Sequence, residues 1–379
     1  MPNWISTDPA KAGKLLLVVG TSTGGVGNHV RAVAAGFLAC GHLVRLAAPA
    51  DTAQAFAFAE TGAVVRAVEI ADRPRPNADP RAVGQLRRLA AGADVVHAHG
   101  LRAGALTALA LAGQHGGPGL VVTLHNAAPT GRAARLAYGV LERIVAARAD
   151  LVLTVSADLA DRMRQLGARG VEHAHVPAPA GSAAPTPSRD PAQLRAQLGA
   201  AGRPLVLTVA RLAAQKGLPL LLDAAAILGA AELGPMFAVA GAGPLHDELA
   251  ERIEREHLPV RLLGRRTDVA DLLGAADVFV LPSVWEGQPL VLQEALRAGV
   301  PIVATDVGGV REVVRDAAVL VPTGDGIALA KGVERVLTHP TTARDLRERA
   351  LRRAAELPTE TDVITQLAAA YDRVGAPRP

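Results

Sequence analysis

The chain alternates between short unbroken apolar runs and longer stretches whose apolar residues recur at helical spacing. The first run, Leu15–Val19, is followed by a glycine cluster and then by an amphipathic stretch, Val26–Leu38. Unbroken apolar runs separated by helical stretches are typical of parallel strands that helices cover on both faces. Further strands of this first domain are predicted at Leu43–Ala47, Ala63–Val68, Asp94–His97, Leu120–Leu124 and Leu151–Val155.

The alternation stops once and then restarts. Residues 177–190 are rich in proline and lack large apolar side chains up to Ser188, so we predict an extended interdomain linker. Three helical segments close the chain, near Ile327–Leu337, Thr342–Glu356 and Asp362–Val374. The second set of strands is predicted at Leu205–Ala210, Met236–Ala240, Val260–Leu263, Val278–Leu281, Ile302–Thr305 and Ala318–Val321.

The pattern predicts an α/β protein of two doubly wound, Rossmann-like domains, which suits a length of 379 residues. We expect an N-terminal domain over 1–176, a C-terminal domain over 191–356, and a last helix within 357–379 that packs back toward the first domain. Ligands of open α/β sheets bind at the carboxyl ends of the strands. We therefore expect an interdomain cleft and look for chemistry in the loops that follow strands.

Composition narrows the range of partners. Lys and Arg exceed Asp and Glu by 40 − 36 = 4, spread along the chain, and aromatic residues make up only 2%. This mild excess suits an anionic small molecule or an acidic membrane surface, and it does not indicate a nucleic-acid partner. The densest basic stretch is interpreted as a solvated face, with a membrane-surface patch as the alternative; it contains Arg73, Arg75, Arg81, Arg87 and Arg88.

Cys40 is the only cysteine, which excludes an intrachain disulfide and favours a reducing compartment. Residues 1–14 lack the apolar region and cleavage site of a signal peptide. No run reaches the roughly 18 to 20 apolar residues that span a bilayer. We expect a cytoplasmic protein that is soluble or at most peripheral at the inner membrane surface.

The strongest candidate site follows the predicted strand Val278–Leu281. Glu286 is placed in the loop before a helix and Glu294 about a turn and a half inside it, with Pro289 where the first turn would begin. Carboxylates on either side of an anion site make sense if they bind sugar and ribose hydroxyls flanking a diphosphate. The backbone amides expected to form that anion site belong to Gly287, Gln288, Leu290 and Val291.

With seven residues between Glu286 and Glu294, this segment resembles the motif of the retaining glycosyltransferases of GT-B fold, family-4 type (glycosyl transferases group 1). The resemblance runs from about Lys14 to Val374. It implies that Glu286 contacts the donor sugar and that Glu294 holds the nucleotide ribose. The sequence departs from the family at Gln288-Pro289, where Phe-Gly is frequent. The competing interpretation is an ordinary amphipathic helix with a stray acidic pair.

Two cations follow the first strand of the second domain. Arg211 and Lys216 would repel each other unless an anion lay between them, and a diphosphate fits. On the residues alone, solvated surface charges are an equal alternative. The resemblance implies that both residues grip the diphosphate leaving group. It also places the nucleobase near the loops that contain Gly241, Gly243 and Gly264-Arg265, with Ser283 and the loop 306–309 at the same edge.

The glycine cluster Gly20–Gly27 lacks the spacing of a dinucleotide fingerprint, which argues against a nicotinamide oxidoreductase. Read alone, a glycine-rich loop is weak evidence. The resemblance implies that Gly24 and Gly25 lie beneath the donor phosphates, close to the acceptor.

Three histidines follow buried strands of the first domain. His97 and His99 are two residues apart, on one side of an extended chain, and His125 ends another strand. No set of three ligands at recognisable spacing and no Asp-x-Asp is present, so we expect neither a metal nor a cofactor. The resemblance implies that His125 contacts the donor sugar at the reacting region. His99 and Asn126 are assigned to the acceptor side, and His97 to a structural role.

These features predict a metal-independent, retaining, hexosyltransferase-type enzyme of glycan, glycolipid or cell-envelope biosynthesis. It would use a nucleotide-diphosphate sugar, UDP- or GDP-linked, and an unidentified lipid, glycan or small-molecule acceptor. The catalytic roles fall to His125, Arg211, Lys216 and Glu286. The alternatives are a nucleotide-sugar epimerase on the same fold and a non-catalytic nucleotide-sugar-binding protein.

Overall fold

The computed structural model describes residues 3–5, 12–22, 24–114, 116–126, 132–178, 188–230 and 234–375. It divides into two compact units: unit 1 is Met1–Pro177 with Pro358–Pro379, and unit 2 is Ala178–Leu357. Most of the predicted linker, residues 179–187, lies outside the described part. Both described ends of that segment are tied to unit 2, where Ala178 N donates to Gln293 Oε1 (2.8 Å) and Ser188 N to Asp271 Oδ1 (2.6 Å).

Unit 1 is built on a sheet of seven parallel strands in the order β3-β2-β1-β4-β5-β6-β7. All six predicted strands of this half are confirmed within two residues at each end. The three-residue β7 is additional, and it carries no apolar run that could have announced it. The strands are β1 (Lys14–Val19), β2 (Leu43–Ala48), β3 (Val64–Ala67), β4 (Val95–His99), β5 (Gly119–Leu124), β6 (Leu151–Thr154) and β7 (Val171–His173).

Helices connect these strands. The central strand β1 is buried from Leu15 to Val19, as expected for a parallel strand with helices on both faces. The helices are α1 (Gly25–Ala39), α2 (Ala50–Ala55), α3 (Asp79–Ala90), α4 (Leu101–Ala110), α5 (Arg132–Arg148) and α6 (Ala157–Gln165). Short 3-10 turns cover Asn3–Ile5 and Phe58–Thr61.

Unit 2 repeats the plan with six parallel strands in the order β10-β9-β8-β11-β12-β13. The strands are β8 (Leu205–Val209), β9 (Met236–Ala240), β10 (Val260–Leu262), β11 (Val278–Leu281), β12 (Ile302–Thr305) and β13 (Ala318–Val321). The helices are α7 (Pro191–Gln197), α8 (Leu218–Gly229), α9 (His246–Arg255), α10 (Val269–Ala275), α11 (Leu290–Ala298), α12 (Val310–Val314), α13 (Gly326–Thr338) and α14 (Pro340–Ala355).

The core of unit 2 lies in two apolar layers, one on each face of its sheet. Adjacent residues of a strand serve opposite layers, as Leu207 and Val206 do, because side chains alternate across a strand. With few aromatic residues available, Leu, Val, Ile and Ala fill most of both layers.

The last helix, α15 (Glu360–Gly375), belongs to unit 1 and packs against α1, β5 and the turn Asn3–Ile5. Its Tyr371 is fully buried, with its ring 5.2 Å from that of Trp4 and 5.0 Å from that of Phe37. Three aromatic residues thus pack together where the C-terminal helix meets α1 and the turn Asn3–Ile5.

Both sheets reverse their strand order beside their first strand, between β1 and β4 in unit 1 and between β8 and β11 in unit 2. At such a switch point the loops on either side diverge and leave a crevice at the carboxyl edge. The candidate residues of the sequence follow these four strands and the neighbouring β5, β9 and β10.

Candidate active site

In unit 2 the loops after β8 and β11 bring a cation and a carboxylate together. Lys216 ends the 3-10 turn Ala214–Lys216, and its Nζ lies 2.6 Å from Oε1 of Glu286. Ser283 Oγ donates to the same oxygen at 2.6 Å. Glu286 is buried, with 6% of its side chain exposed, whereas Lys216 keeps 25%. The switch point therefore holds a charged pair that is buried on the carboxylate side and open on the ammonium side.

Backbone contacts with the 306–309 loop fix the position of Glu286. Gly308 has a φ of +50°, and a Cβ there would stand 1.9 Å from the carbonyl oxygen of Glu286. Gly309 N donates to that same oxygen at 3.0 Å. Gly217 is equally restricted, with a φ of +61° and a Cβ position 1.9 Å from Pro282 O. The 306–309 loop, which the sequence placed only at this edge, thus forms the support on which Glu286 rests.

Glu294 lies in α11, on its fifth residue, and is half-buried. Pro289 is the residue before the helix and not part of its first turn, so the helix begins one position later than expected. Burial raises the pKa of Glu294, and nearby Arg297 opposes that shift. The first-turn amides of an α-helix are left without intrahelical acceptors, so Leu290 and Val291 are placed as an anion site requires. Gly287 is buried and Gln288 half-buried just ahead of them.

Three further loops of unit 2 meet backbone to backbone. Gly241 N donates to Gly264 O at 2.8 Å, and Leu212 N donates to Ala242 O at 3.1 Å. A Cβ on Gly241 would stand 1.8 Å from Ala210 O, and one on Gly243 would stand 2.4 Å from Leu212 O. Only glycine allows this approach. The side chains of Arg211 and Arg265 are exposed beside these loops.

In unit 1 the carboxyl edge of the sheet gathers four buried histidines. Oxygen atoms of Tyr371 and Thr123 lie 2.7 Å from the two ring nitrogens of His97, which has both polar atoms satisfied and a structural role. His99 lies over it with ring centroids 4.1 Å apart, and His99 Nδ1 is 3.2 Å from His125 Nε2.

The fourth histidine, His29, was missed in the sequence because it belongs to no motif. It lies in α1, one turn after Gly25, and its ring is 5.5 Å from that of His99 and 5.8 Å from that of His125. Its spacing from the glycine cluster was the one signal that could have indicated it.

These histidines are uncharged at neutral pH. Burial lowers the pKa of His29 to about 4 and, with a contribution from His29, lowers that of His125 to about 3. The pKa values of His97 and His99 are held well below 6.5 by burial and by the neighbouring histidines. His99 Nε2 is buried and has no hydrogen-bond partner among the described residues. A neutral imidazole can exchange hydrogen bonds with a hydroxyl, but it adds no charge for a phosphate.

The other first-domain candidates are close to these histidines in sequence. Gly24 precedes α1 and is exposed, and a Cβ there would meet nothing within 4 Å, so packing does not explain the glycine. Gly27, in contrast, is required by Phe56, whose ring a Cβ would approach to 2.3 Å. Asn126 is exposed at the end of β5, and residues 127–131 of the expected acceptor loop lie outside the described part.

The described residues offer neither a metal site nor a membrane-spanning helix. Within the described ranges, no group of three or more His, Cys, Asp or Glu side chains is arranged to hold a metal ion. None of the helices in that part of the chain is long and apolar enough to cross a bilayer. In the basic stretch, all five arginine side chains are exposed, which fits both a solvated face and a membrane-surface patch: Arg73, Arg75, Arg81, Arg87 and Arg88.

Two family models match the chain. The one described as "Glycosyl transferase 4-like domain" covers residues 24–179, and "Glycosyl transferases group 1" covers residues 191–353. Alpha-D-kanosaminyltransferase of Streptomyces kanamyceticus is 32% identical over 194 residues, which are 48% of this chain and 49% of that protein. Glycogen synthase of Mycobacterium tuberculosis is 32% identical over 266 residues, 66% of this chain and 62% of the synthase. The chain thus spans about half the length of the first of these relatives.

Solved structures share the architecture. HepE of Anabaena, crystallised with UDP, has a TM-score of 0.80 at 22% identity and covers 95% of this chain and 100% of its own. Sucrose-phosphate synthase of Thermosynechococcus elongatus has a TM-score of 0.76 at 20% identity, with 96% and 99% covered. At these identities the likeness concerns the fold, and it confirms the prediction of two Rossmann-like domains of GT-B type.

Proposed function

We propose that this chain, which carries two glycosyltransferase domains on a GT-B fold, transfers a sugar from a nucleotide-diphosphate sugar to an acceptor hydroxyl. The observation that carries the proposal is the pair Lys216–Glu286, 2.6 Å apart at the switch point of unit 2. A carboxylate buried beside a partly exposed ammonium suits a ligand that presents hydroxyls next to an anionic leaving group.

Each candidate residue of unit 2 has a role in this proposal. Glu286 would accept hydrogen bonds from donor-sugar hydroxyls, and Glu294 from the ribose. Lys216 and Arg211 would neutralise the diphosphate as it leaves, assisted by the amides of the first turn of α11. The nucleobase would lie at the glycine loops of β9 and β10, beside Gly241, Gly243 and Arg265. UDP is the favoured nucleotide, since HepE was crystallised with UDP and with UDP-glucose; GDP is the second choice.

We propose retention of configuration on the strength of the family resemblance. The acceptor oxygen would bond to the anomeric carbon on the face from which the diphosphate departs. The bond from that carbon to the phosphate oxygen breaks with its electron pair going to the diphosphate, and the acceptor proton passes to a phosphate oxygen. His125 would position the donor sugar near this centre and Gly24-Gly25 the phosphates. No metal enters these steps.

The acceptor would be bound in unit 1 by His99 and Asn126. Because the histidine cluster is neutral, we propose that the acceptor presents an uncharged hydroxyl to it. Relatives that support glycan, glycolipid or cell-envelope biosynthesis include a lipopolysaccharide core mannosyltransferase of Rhizobium meliloti, 40% identical over 99 residues, 26% of each chain. We also propose a cytoplasmic enzyme in peripheral contact with the inner membrane surface, supported by the exposed arginines around α3.

A panel of UDP-, GDP- and ADP-sugars tests the proposal by release of nucleoside diphosphate. Glu286→Gln and Lys216→Met should each lower the rate by about 10²-fold, because each removes a charged contact at the leaving group or sugar. Glu251→Gln, on the exposed face of α9, is the matched control and should keep the full rate.

Other outcomes separate the alternatives. An epimerised nucleotide sugar without diphosphate release would indicate the epimerase, and tight donor binding without turnover would indicate a binding protein. If no donor is bound or turned over and Glu286→Gln changes nothing, the transferase proposal fails.

A further inference from the structure

The outward face of α5 presents apolar side chains to solvent. Leu136 and Val140 lie one turn apart on this helix and are 75% and 56% exposed. Val145 and Ala146 are fully buried, and the helix packs on α4. Single exposed apolar residues are common on proteins, but two neighbours on one helix face form a patch that calls for a partner.

Arginines surround this patch. Arg135, Leu136, Gly139, Arg143 and Arg162 line an open depression of about 400 Å³. Arg143 Nη1 donates to Gly139 O at 3.2 Å. Because Gly139 has no side chain, the floor of the depression stays low between the two arginines of α5.

The acidic side chain of α5 itself is already neutralised. Glu142 accepts from Arg162 Nε and Nη2 of α6 at 3.0 and 2.9 Å. Arg135, Arg143 and Arg148 are exposed, and Glu142 is the one acid in the sequence of α5. The surface therefore combines apolar side chains with an excess of positive charge.

We propose that the α5 face, defined by Arg135, Leu136, Val140 and Arg143, is the surface by which the chain docks on an anionic lipid bilayer. Leu136 and Val140 enter the boundary between headgroups and acyl chains, and the arginines contact lipid phosphates. A second copy of the chain is a poorer partner, because a symmetric contact on this face would bring like charges together. The inference rests on the peripheral membrane contact proposed above. It assigns that contact to the amphipathic face of α5 and not to the purely charged surface of α3.

Co-sedimentation of the full chain with lipid vesicles tests this inference. We expect binding to phosphatidylcholine vesicles that contain phosphatidylglycerol, weaker binding as salt is raised, and little binding to phosphatidylcholine alone. Leu136→Ser with Val140→Ser should weaken binding about tenfold, because both apolar anchors are lost. The matched control, Ile327→Ser with Leu351→Ser, removes two apolar side chains of unit 2 that are 60% and 50% exposed and should bind as the unchanged chain does.

A second variant keeps the test decisive if the first does not fold. Arg135→Gln with Arg143→Gln should weaken binding to the anionic vesicles by about tenfold while leaving the apolar residues in place. A contrary result is that both α5 variants bind vesicles undiminished while a variant with Arg87→Gln and Arg88→Gln loses vesicle binding. That result would overturn the assignment to α5 but would still support a membrane contact through α3. Concentration-dependent dimerisation that the serine variant abolishes would overturn it in favour of a second copy. Absence of any vesicle binding would overturn both membrane proposals, and donor turnover, measured without lipid, would be untouched.

Discussion

At the scale of single residues, the candidate residues of unit 2 are charged, whereas those of unit 1 are neutral imidazoles. Lys216 and Glu286 form a pair that local sequence could indicate, because each follows a strand at a short distance. Only part of the histidine cluster could be predicted from the sequence. His99 and His125 end strands, whereas His29 is inside a helix and Tyr371 is 274 residues beyond His97, so no spacing rule could join them.

The buried histidines should make the protein sensitive to acid. His29 has a pKa of about 4 in the folded state against an ordinary 6.5, so the unfolded chain binds its proton more readily. A group with a depressed folded pKa of this kind contributes full stability above pH 6.5 and loses it as the pH falls toward 4. The loss for this histidine alone should be about 3 kcal/mol, to order of magnitude. Denaturant unfolding at a series of pH values between these limits measures it.

His29→Leu should flatten that pH dependence by removing one buried titrating group. His339→Gln, which changes an exposed histidine of unit 2, is the control and should leave the slope as it is. A slope that does not change in His29→Leu would mean that the pKa of His29 is not lowered by folding.

At the scale of elements, the sequence was most informative where the local pattern of one segment determines its secondary structure. The apolar runs located twelve strands. The expectation that ligands bind at the carboxyl ends of strands then selected Arg211, Lys216, Glu286 and Glu294. It could not show what supports Glu286, because the contact with Gly308 joins the loops after two different strands. It also missed β7, whose three residues are half-buried or exposed and lack an apolar run.

Gly308 offers a test of that support. Gly308→Ala should destabilise unit 2 by at least about 2 kcal/mol and lower donor turnover, because its methyl group would clash with the Glu286 carbonyl. Gly324→Ala is the matched control: Gly324 also has a positive φ, +78°, but no atom lies within 4 Å of its Cβ position. It should cost about 1 kcal/mol from backbone strain alone and spare turnover. Equal effects of the two substitutions in denaturant unfolding and in turnover would show that the contact with Glu286 does not matter.

The C-terminal helix α15 connects to the histidine cluster through one hydroxyl. Tyr371→Phe keeps the ring against Trp4 and Phe37 but removes the oxygen 2.7 Å from His97 Nδ1. A buried nitrogen left without a partner should cost about 1 to 3 kcal/mol. Because His97 lies against His99, we also expect a lower transfer rate at unchanged apparent affinity for the donor.

Denaturant unfolding and transfer kinetics measure both effects. Tyr138→Phe is the control, since Tyr138 is the other tyrosine of the chain and is only half-buried on α5. If Tyr371→Phe loses stability but transfers at the full rate, α15 supports unit 1 without positioning the histidines.

At the scale of the whole molecule, the two units differ in how completely the chain specifies their chemistry. Unit 2 carries its candidate donor residues on loops that hydrogen bond to one another, so nucleoside diphosphate alone should stabilise it. At about 100 times the dissociation constant, the gain should be about 2.7 kcal/mol. Hydrogen exchange with UDP, and separately with GDP, should show protection in the segments 210–217, 241–245 and 283–295 and none around the histidines of unit 1. Lys216→Met should lose most of this protection, whereas Lys331→Met, an exposed lysine of α13, should retain it. Protection confined to the glycine loop at the start of α1 would place the nucleotide in unit 1. That result would contradict the proposal that unit 2 binds the donor and unit 1 binds the acceptor.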